Sequence, residues 1–214
     1  MSIVDSSRLA AGRVGVGFSD PCVGLYNGTG APGSHTNGMR LARGGSVSFN
    51  ISTADDSVFY ADDVAAETDT DKFSGGSMTL VVDGLHAKAE RFINGESEPE
   101  EVPVGEENIP LTRTGRTASA PDVGFGFIRV YQSKGTMMFV PVILPKVKFR
   151  QTAPDGETQT ERKNYQTTSL TADIMRIDDD SNDWKWMGAD YSTRDEARAV
   201  LHRLLAVPQE AANG

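Results

Sequence analysis

Residues 123–150, VGFGFIRVYQSKGTMMFVPVILPKVKFR, hold two long apolar runs separated only by Ser133-Lys134-Gly135. A join this short turns the chain straight back on itself, so the runs are expected to pair as an antiparallel β-hairpin. Pro141 and Pro145 cannot donate to a sheet ladder, which predicts that the second strand lies at an edge or is bent there. The 22 glycines and 10 prolines, spread between short apolar runs, also suit many turns joining strands better than a helical bundle. The fold class expected is mainly β.

Further strands follow from the period-two pattern. In SVSFNIS, residues 46–52, Val47, Phe49 and Ile51 alternate with polar residues, as on a half-buried strand. From Ser77 the chain reads SMTLVVDGL, with Met78, Leu80 and Val82 on one face. Asp83 is placed to cap a following helix, whose stripe is Leu85, Ala89, Phe92 and Ile93 and whose stop is Asn94-Gly95. Residues 164–177 and 184–186 are read as a last strand pair around the Asp-rich turn DDDSND. A closing helix starts at Thr193-Arg194-Asp195-Glu196, with capping-box spacing, and carries Ala197, Val200, Leu201, Leu204 and Leu205 before Pro208.

With 214 residues, 38% of them hydrophobic, the chain is long enough for one sizeable core. The expected division is a glycine-rich arm or loops over 1–45, a main domain over 46–207 and a short tail over 208–214. Within the main domain, 53–75 reads as a long acidic loop with a small apolar island, and 193–206 as the C-terminal helix. ESEPEEVPVGEENIP, rich in glutamate and proline, reads as a solvated loop.

The formal charge of −9 argues against a nucleic-acid binder, because phosphate binding is driven by clustered Lys and Arg. Cys22 is the only cysteine, so no internal disulfide staples the fold. No run reaches the roughly 18 apolar residues of a membrane helix, and the first residues lack a signal-peptide core. A soluble protein without membrane contact is expected.

Several motifs invite chemistry and lose it in context. Gly28-Thr29-Gly30-Ala31-Pro32-Gly33 matches a dinucleotide fingerprint but lacks the strand-to-helix setting that would aim backbone amides at a pyrophosphate. Tyr60-Ala61-Asp62-Asp63 pairs two carboxylates as in metal-dependent phosphoryl transfer, within an acidic, short chain unsuited to a polymerase. Asp178, Asp180 and Asn182 have the first spacings of a calcium loop, but Asp183 and Ala189 stand where glycine and glutamate are needed. His35, His86 and His202 have no ligand partner at helical spacing. No catalytic residue, metal ligand or cofactor is assigned, and no enzyme is expected.

Three stretches, in this order, do carry a resemblance. VFYADDVAAETDTDKFSGGSMTLVVDGL has an aromatic-Tyr-Ala-Asp-Asp segment followed by Phe-Ser-Gly-Gly, a strand and Asp-Gly-Leu. PDVGFGFIRVYQSKGTMMFVPVILPKVKF has a glycine-containing strand, a hairpin and a second strand ending in Lys-Val-Lys-Phe. YQTTSLTADIMRIDDDSNDWKW sets a paired-acid turn before Trp-Lys-Trp and is followed by an acidic-start helix. Together, from about residue 46 to 205, they resemble the major tail tube protein of long-tailed (siphovirus) bacteriophages.

The resemblance implies a tail-tube-type β-sandwich or half-barrel with one or two flanking α-helices, related to the tube protein of type VI secretion. It implies a chain that partners itself: homo-hexameric rings stack into a non-contractile tube. That tube encloses the tape-measure protein, meets distal tail and terminator proteins, and passes DNA without specific binding. Its place would be the virion tail, assembled in the host cytoplasm. The loop around Tyr60 to Phe73 resembles the segment that orders on assembly, which makes Phe59, Tyr60, Asp62, Asp63 and Phe73 the expected subunit interface. Asp173 is a candidate lumen-facing acid, with the solvated outer face as the equal alternative. Three rival readings stand beside this one: a terminator or connector ring, a metal-dependent nuclease using Asp62 and Asp63, and a carbohydrate-binding sandwich using Trp184, Trp186 and Tyr191.

Overall fold

The computed structural model describes residues 12–53, 57–61, 64–69, 73–112, 114–115, 118–151 and 167–208. The protein is mainly β, as expected, with two helices among the described residues. Its centre is the predicted hairpin. Strands β9 (Asp122–Ser133) and β10 (Thr136–Phe149) pair antiparallel from Thr136↔Ser133 to Lys148↔Asp122, turned by Lys134 and Gly135 in left-handed backbone. The register shifts between Leu144 and Val147, so the bend expected at Pro145 is present, while β10 is not an edge.

Within the glycine-rich arm expected over 1–45, residues 14–25 and 36–40 are instead strands of the sheet. β1 (Val14–Leu25) pairs along β9, and β2 (Thr36–Arg40) pairs with the second half of β1. On the other side of β10 come β11 (Thr168–Ile174), β6 (Phe73–Val82) and β3 (Gly44–Thr53). The order is β2-β1-β9-β10-β11-β6-β3, all antiparallel. The strands expected to pair around the Asp-rich turn do not pair with each other: β11 and the two-residue β12 (Trp186–Met187) each add separately to β10.

The sheet curls strongly. Phe49 of β3 stacks on Phe127 of β9, 5.9 Å between ring centroids, although three strands lie between them in the sheet. The concave interior therefore holds Phe125, Phe127, Val142, Leu144, Met78, Leu80, Leu170 and Phe149. Helix α1 (Ala87–Asn94) closes this interior with Ala89 and Ile93, and Gly95 ends it at φ 67°. Asp83 does not cap it. His86 occupies the cap position, and the Asp83 carboxylate accepts from the backbone N–H and Nε of Arg43.

Alternation puts Gly126, Ile128 and Ile143 on the convex face, where helix α2 (Arg194–Leu204) packs with Ala197, Leu201 and Leu205. The N-cap half of its capping box is formed: Thr193 Oγ1 accepts from Glu196 N–H. Glycine makes this docking close. A Cβ at Gly38 would collide with the backbone of Leu205, Ala206 and Val207, where Gly38 N–H donates to the Ala206 carbonyl at 3.1 Å.

Two hairpins stand outside the main sheet. β4 (Ser57–Ala61) pairs with β5 (Val64–Asp69), and β7 (Glu100–Val104) pairs with β8 (Glu107–Leu111). The second corrects the solvated loop expected there: Gly105, at φ 67°, lets the glutamate-rich segment close as a two-stranded ladder.

Candidate assembly surfaces

A strand at the end of a sheet offers unpaired backbone donors and acceptors, and a protein that leaves them open invites another chain. Among the described residues β3 forms a ladder with β6 alone, and on its other side the first residue, Gly44, lies against the Phe18 ring of β1. Its apolar face is only partly used. Val47 packs on the core, whereas Phe49 is 41% exposed although it stacks on Phe127, and Ile51 is exposed too.

The opposite end of the sheet repeats this. Among the described residues β2 covers β1 from Cys22 to Leu25, and Val14 to Ser19 form a ladder with β9 alone. Val14 is 67% exposed and Val16 is exposed beside it. Phe18, next along, turns inward against Phe127 at 5.3 Å. The two ladder-free edges thus approach one another across the curled sheet, tied by Phe18, Phe127 and Phe49.

The residues expected at a subunit interface divide. Phe59 and Tyr60 lie in β4, opposite Glu67 and Ala65 of β5, while Asp62 and Asp63 fall outside the described residues. Phe73 is a correction. It is buried in its own subunit, parallel to Trp184 with ring centroids 4.6 Å apart, and so is not free to enter a neighbour. It sits at the first position of β6, which holds it against the core rather than in the loop.

Asp173 points away from the interior, between the buried Ala172 and Ile174. Its carboxylate accepts from Arg150 Nη2 at 2.8 Å and Nε at 3.3 Å, so it presents a neutralised pair rather than a bare acid.

The Asp-rich turn is held by its own side chains. Asp178 binds Lys146 Nζ at 2.6 Å, and this hydrogen bond holds the Asp178 carboxyl below its usual range. Asp179 accepts from Ser181 N–H and Oγ, and Ile177 N–H donates to the Asp183 carbonyl. Among the described residues no three His, Cys, Asp or Glu side chains converge as a metal site would require. Of the aromatics offered to a sugar, Trp184 and Trp186 are half-buried, Trp184 stacked on Phe73 and Trp186 edge-on to His35 at 6.2 Å, and Tyr191 is buried beside Phe139. Gly28 to Gly33 join two antiparallel strands, without the helix a phosphate loop needs.

Two buried polar groups brace the frame. Asp20, in left-handed backbone within β1, bonds Arg40 of β2 at 3.1 Å and Arg198 of α2 through both carboxylate oxygens at 3.2 Å. His35 is buried under α2, its Nε2 2.8 Å from the Pro145 carbonyl, and burial pushes its pKa below that of a free imidazole. Beside Asp20, burial pushes the Cys22 thiol up to about 12, which makes it inert.

Sequence reading missed the β1 edge because glycines 15 and 17 hid it, although Val14, Val16 and Phe18 keep the period of two. Compared with the known protein families and with curated proteins, the chain matches none.

Proposed function

We propose that this chain is a self-assembling structural subunit of a tube, of the kind the phage tail tube resemblance implies. The observation that carries the reading is the pair of open sheet edges, β3 and the first half of β1, both bearing exposed apolar side chains. They lie at opposite ends of one curled sheet, so joining β3 of one copy to β1 of the next is a head-to-tail contact. Such contacts close into rings when the rotation between copies divides a full turn. Edge pairing satisfies the backbone and covers Phe49, Ile51, Val14 and Val16 together. The tail tube reading makes the ring a hexamer, stacked through the β4–β5 hairpin, with the tape-measure protein and then DNA in the bore. The acidity of the chain keeps such a bore from holding DNA.

No helix among the described residues is long and apolar enough to cross a membrane. The edge reading is tested by placing charge on it. Phe49→Lys with Ile51→Lys is expected to keep the monomer's circular dichroism and abolish high-mass species in light scattering. Assembly unchanged in that variant overturns the reading.

A further inference from the structure

β3 follows β2 along the same side of β1. Pairing of β2 with β1 includes Val23–Met39 and Cys22–Arg40, and next to them the Leu41 N–H donates to the Pro21 carbonyl at 3.0 Å. Counted on one for one, Phe18 falls opposite Gly44, and there the Phe18 ring occupies the space a Gly44 Cβ would need. An aromatic ring laid over a cross-strand glycine is a contact of paired strands. The register of the β1–β2 ladder thus reaches the first residue of β3.

Direction and sidedness agree with that register. Every ladder from β1 through β9, β10, β11 and β6 to β3 is antiparallel, so β1 and β3 run antiparallel where the curl brings them together. Their Cα atoms come within 8 Å of each other, against about 5 Å in a formed ladder. Each strand has one irregularity here, between Gly15 and Gly17 and between Gly44 and Ser46, so the two cancel. Beyond them Gly15 falls opposite Val47, and both are on the concave face through their partners Tyr131 and Leu80. Val14 falls opposite Ser48, and both are on the convex face. A slip of one residue would break this match. Gly15, Gly17, Gly44 and Gly45 have no side chain to hold the backbones apart.

We propose that this seam zips shut within one copy, residues 14–18 pairing with 44–48 to close the half-barrel, and that closure withholds both edges from neighbouring copies. The inference rests on the self-assembly reading and supplies its regulation. Joining two copies exchanges the pairing within a chain for the same pairing between chains, as in domain swapping. A closed monomer has no ladder-free backbone along the seam, so assembly starts when the seam opens.

The test is the full chain carrying Val14→Cys and Ser48→Cys, treated with oxidised glutathione at high dilution. Cys22 is buried and inert, so it does not compete. Val14→Cys with Asn50→Cys is the control, with both thiols on the convex face but two residues out of register. The expected result is an intrachain disulfide at least about tenfold more abundant than in the control. The trapped chain keeps the parent's circular dichroism and stays monomeric on concentration until dithiothreitol releases it. Equal trapping in both pairs, or none, overturns the closure, and a trapped chain that assembles like its reduced form overturns the withholding. Tubes formed by a chain that never traps leave the assembly reading standing without this inference. Trapping in register, when neither the reduced variant nor the parent assembles, keeps the closed seam and removes the assembly reading together with the withholding.

Discussion

Phe73 and Trp184 lie face to face, 4.6 Å between ring centroids and 5° from parallel. The contact joins the start of β6 to the chain entering β12, two segments more than a hundred residues apart in sequence. Arg176 and Lys185 stand over the two outer faces of the pair, at 5.8 Å from Phe73 and 4.8 Å from Trp184.

Phe73→Ala is expected to cost about 3 kcal/mol in urea unfolding, with a changed tryptophan emission as Trp184 loses its partner. Phe59→Ser with Tyr60→Ser is expected to leave the unfolding midpoint within about 0.5 kcal/mol of the parent while blocking assembly. Equal destabilisation by both sets would place Phe59 and Tyr60 in the core and remove them from the interface.

Asp20 ties three elements through one buried carboxylate. Asp20→Asn preserves shape and tolerates the left-handed backbone but removes the charge, leaving Arg40 and Arg198 without their counter-ion. Because both arginines are about a third exposed, the expected loss is about 2 kcal/mol, less than for a fully buried pair. A loss under about 0.5 kcal/mol in chemical denaturation would show that the arginines simply re-solvate.

His35 gives the fold an acid-side weakness. Burial depresses its pKa, so as pH falls below the unfolded value of about 6.5 the unfolded chain takes up a proton that the folded chain refuses. Its contribution is complete above about pH 6.5 and is lost as pH falls through the lower folded value. His35→Gln, which keeps a donor for the Pro145 carbonyl, is expected to flatten stability against pH below about 6.5. An unchanged slope would assign the acid sensitivity to other groups.

Gly38 marks where the segment after α2 lies on β2. Gly38→Ala sets a methyl against backbone atoms of residues 205–207, not against a side chain that can move aside. A cost of about 2 kcal/mol, with faster amide exchange at the C-terminal end of α2, is expected. A neutral outcome would mean that this segment is loosely seated.

Local patterns were legible wherever they were regular. The 123–150 hairpin, the period-two run of β3, the stripe of α2 and its capping box were all read from spacing alone. What escaped was set by partners far away in sequence. β11 and β12 are neighbours in the chain, yet each pairs with β10, because the bend at Pro145 divides that strand's edge between them. β1 was obscured because its glycines, chosen for close packing under α2 and beside β9, look like turn residues. Phe73 read as a loop aromatic because nothing in its neighbourhood announces Trp184. The β7–β8 ladder was masked by the glutamates within it, two of which, Glu100 and Glu107, share the face of Val102, Val104, Ile109 and Leu111.

The central claim is that copies of this chain join edge to edge into a tube. Negative-stain electron microscopy of the purified protein at high concentration, with its mass measured by light scattering, tests it most directly. Long hollow tubes of stacked rings are the predicted result. Single rings that never stack would contradict the tube and favour a terminator, and a monomer that stays monomeric at every concentration, with both edges open, would contradict assembly itself.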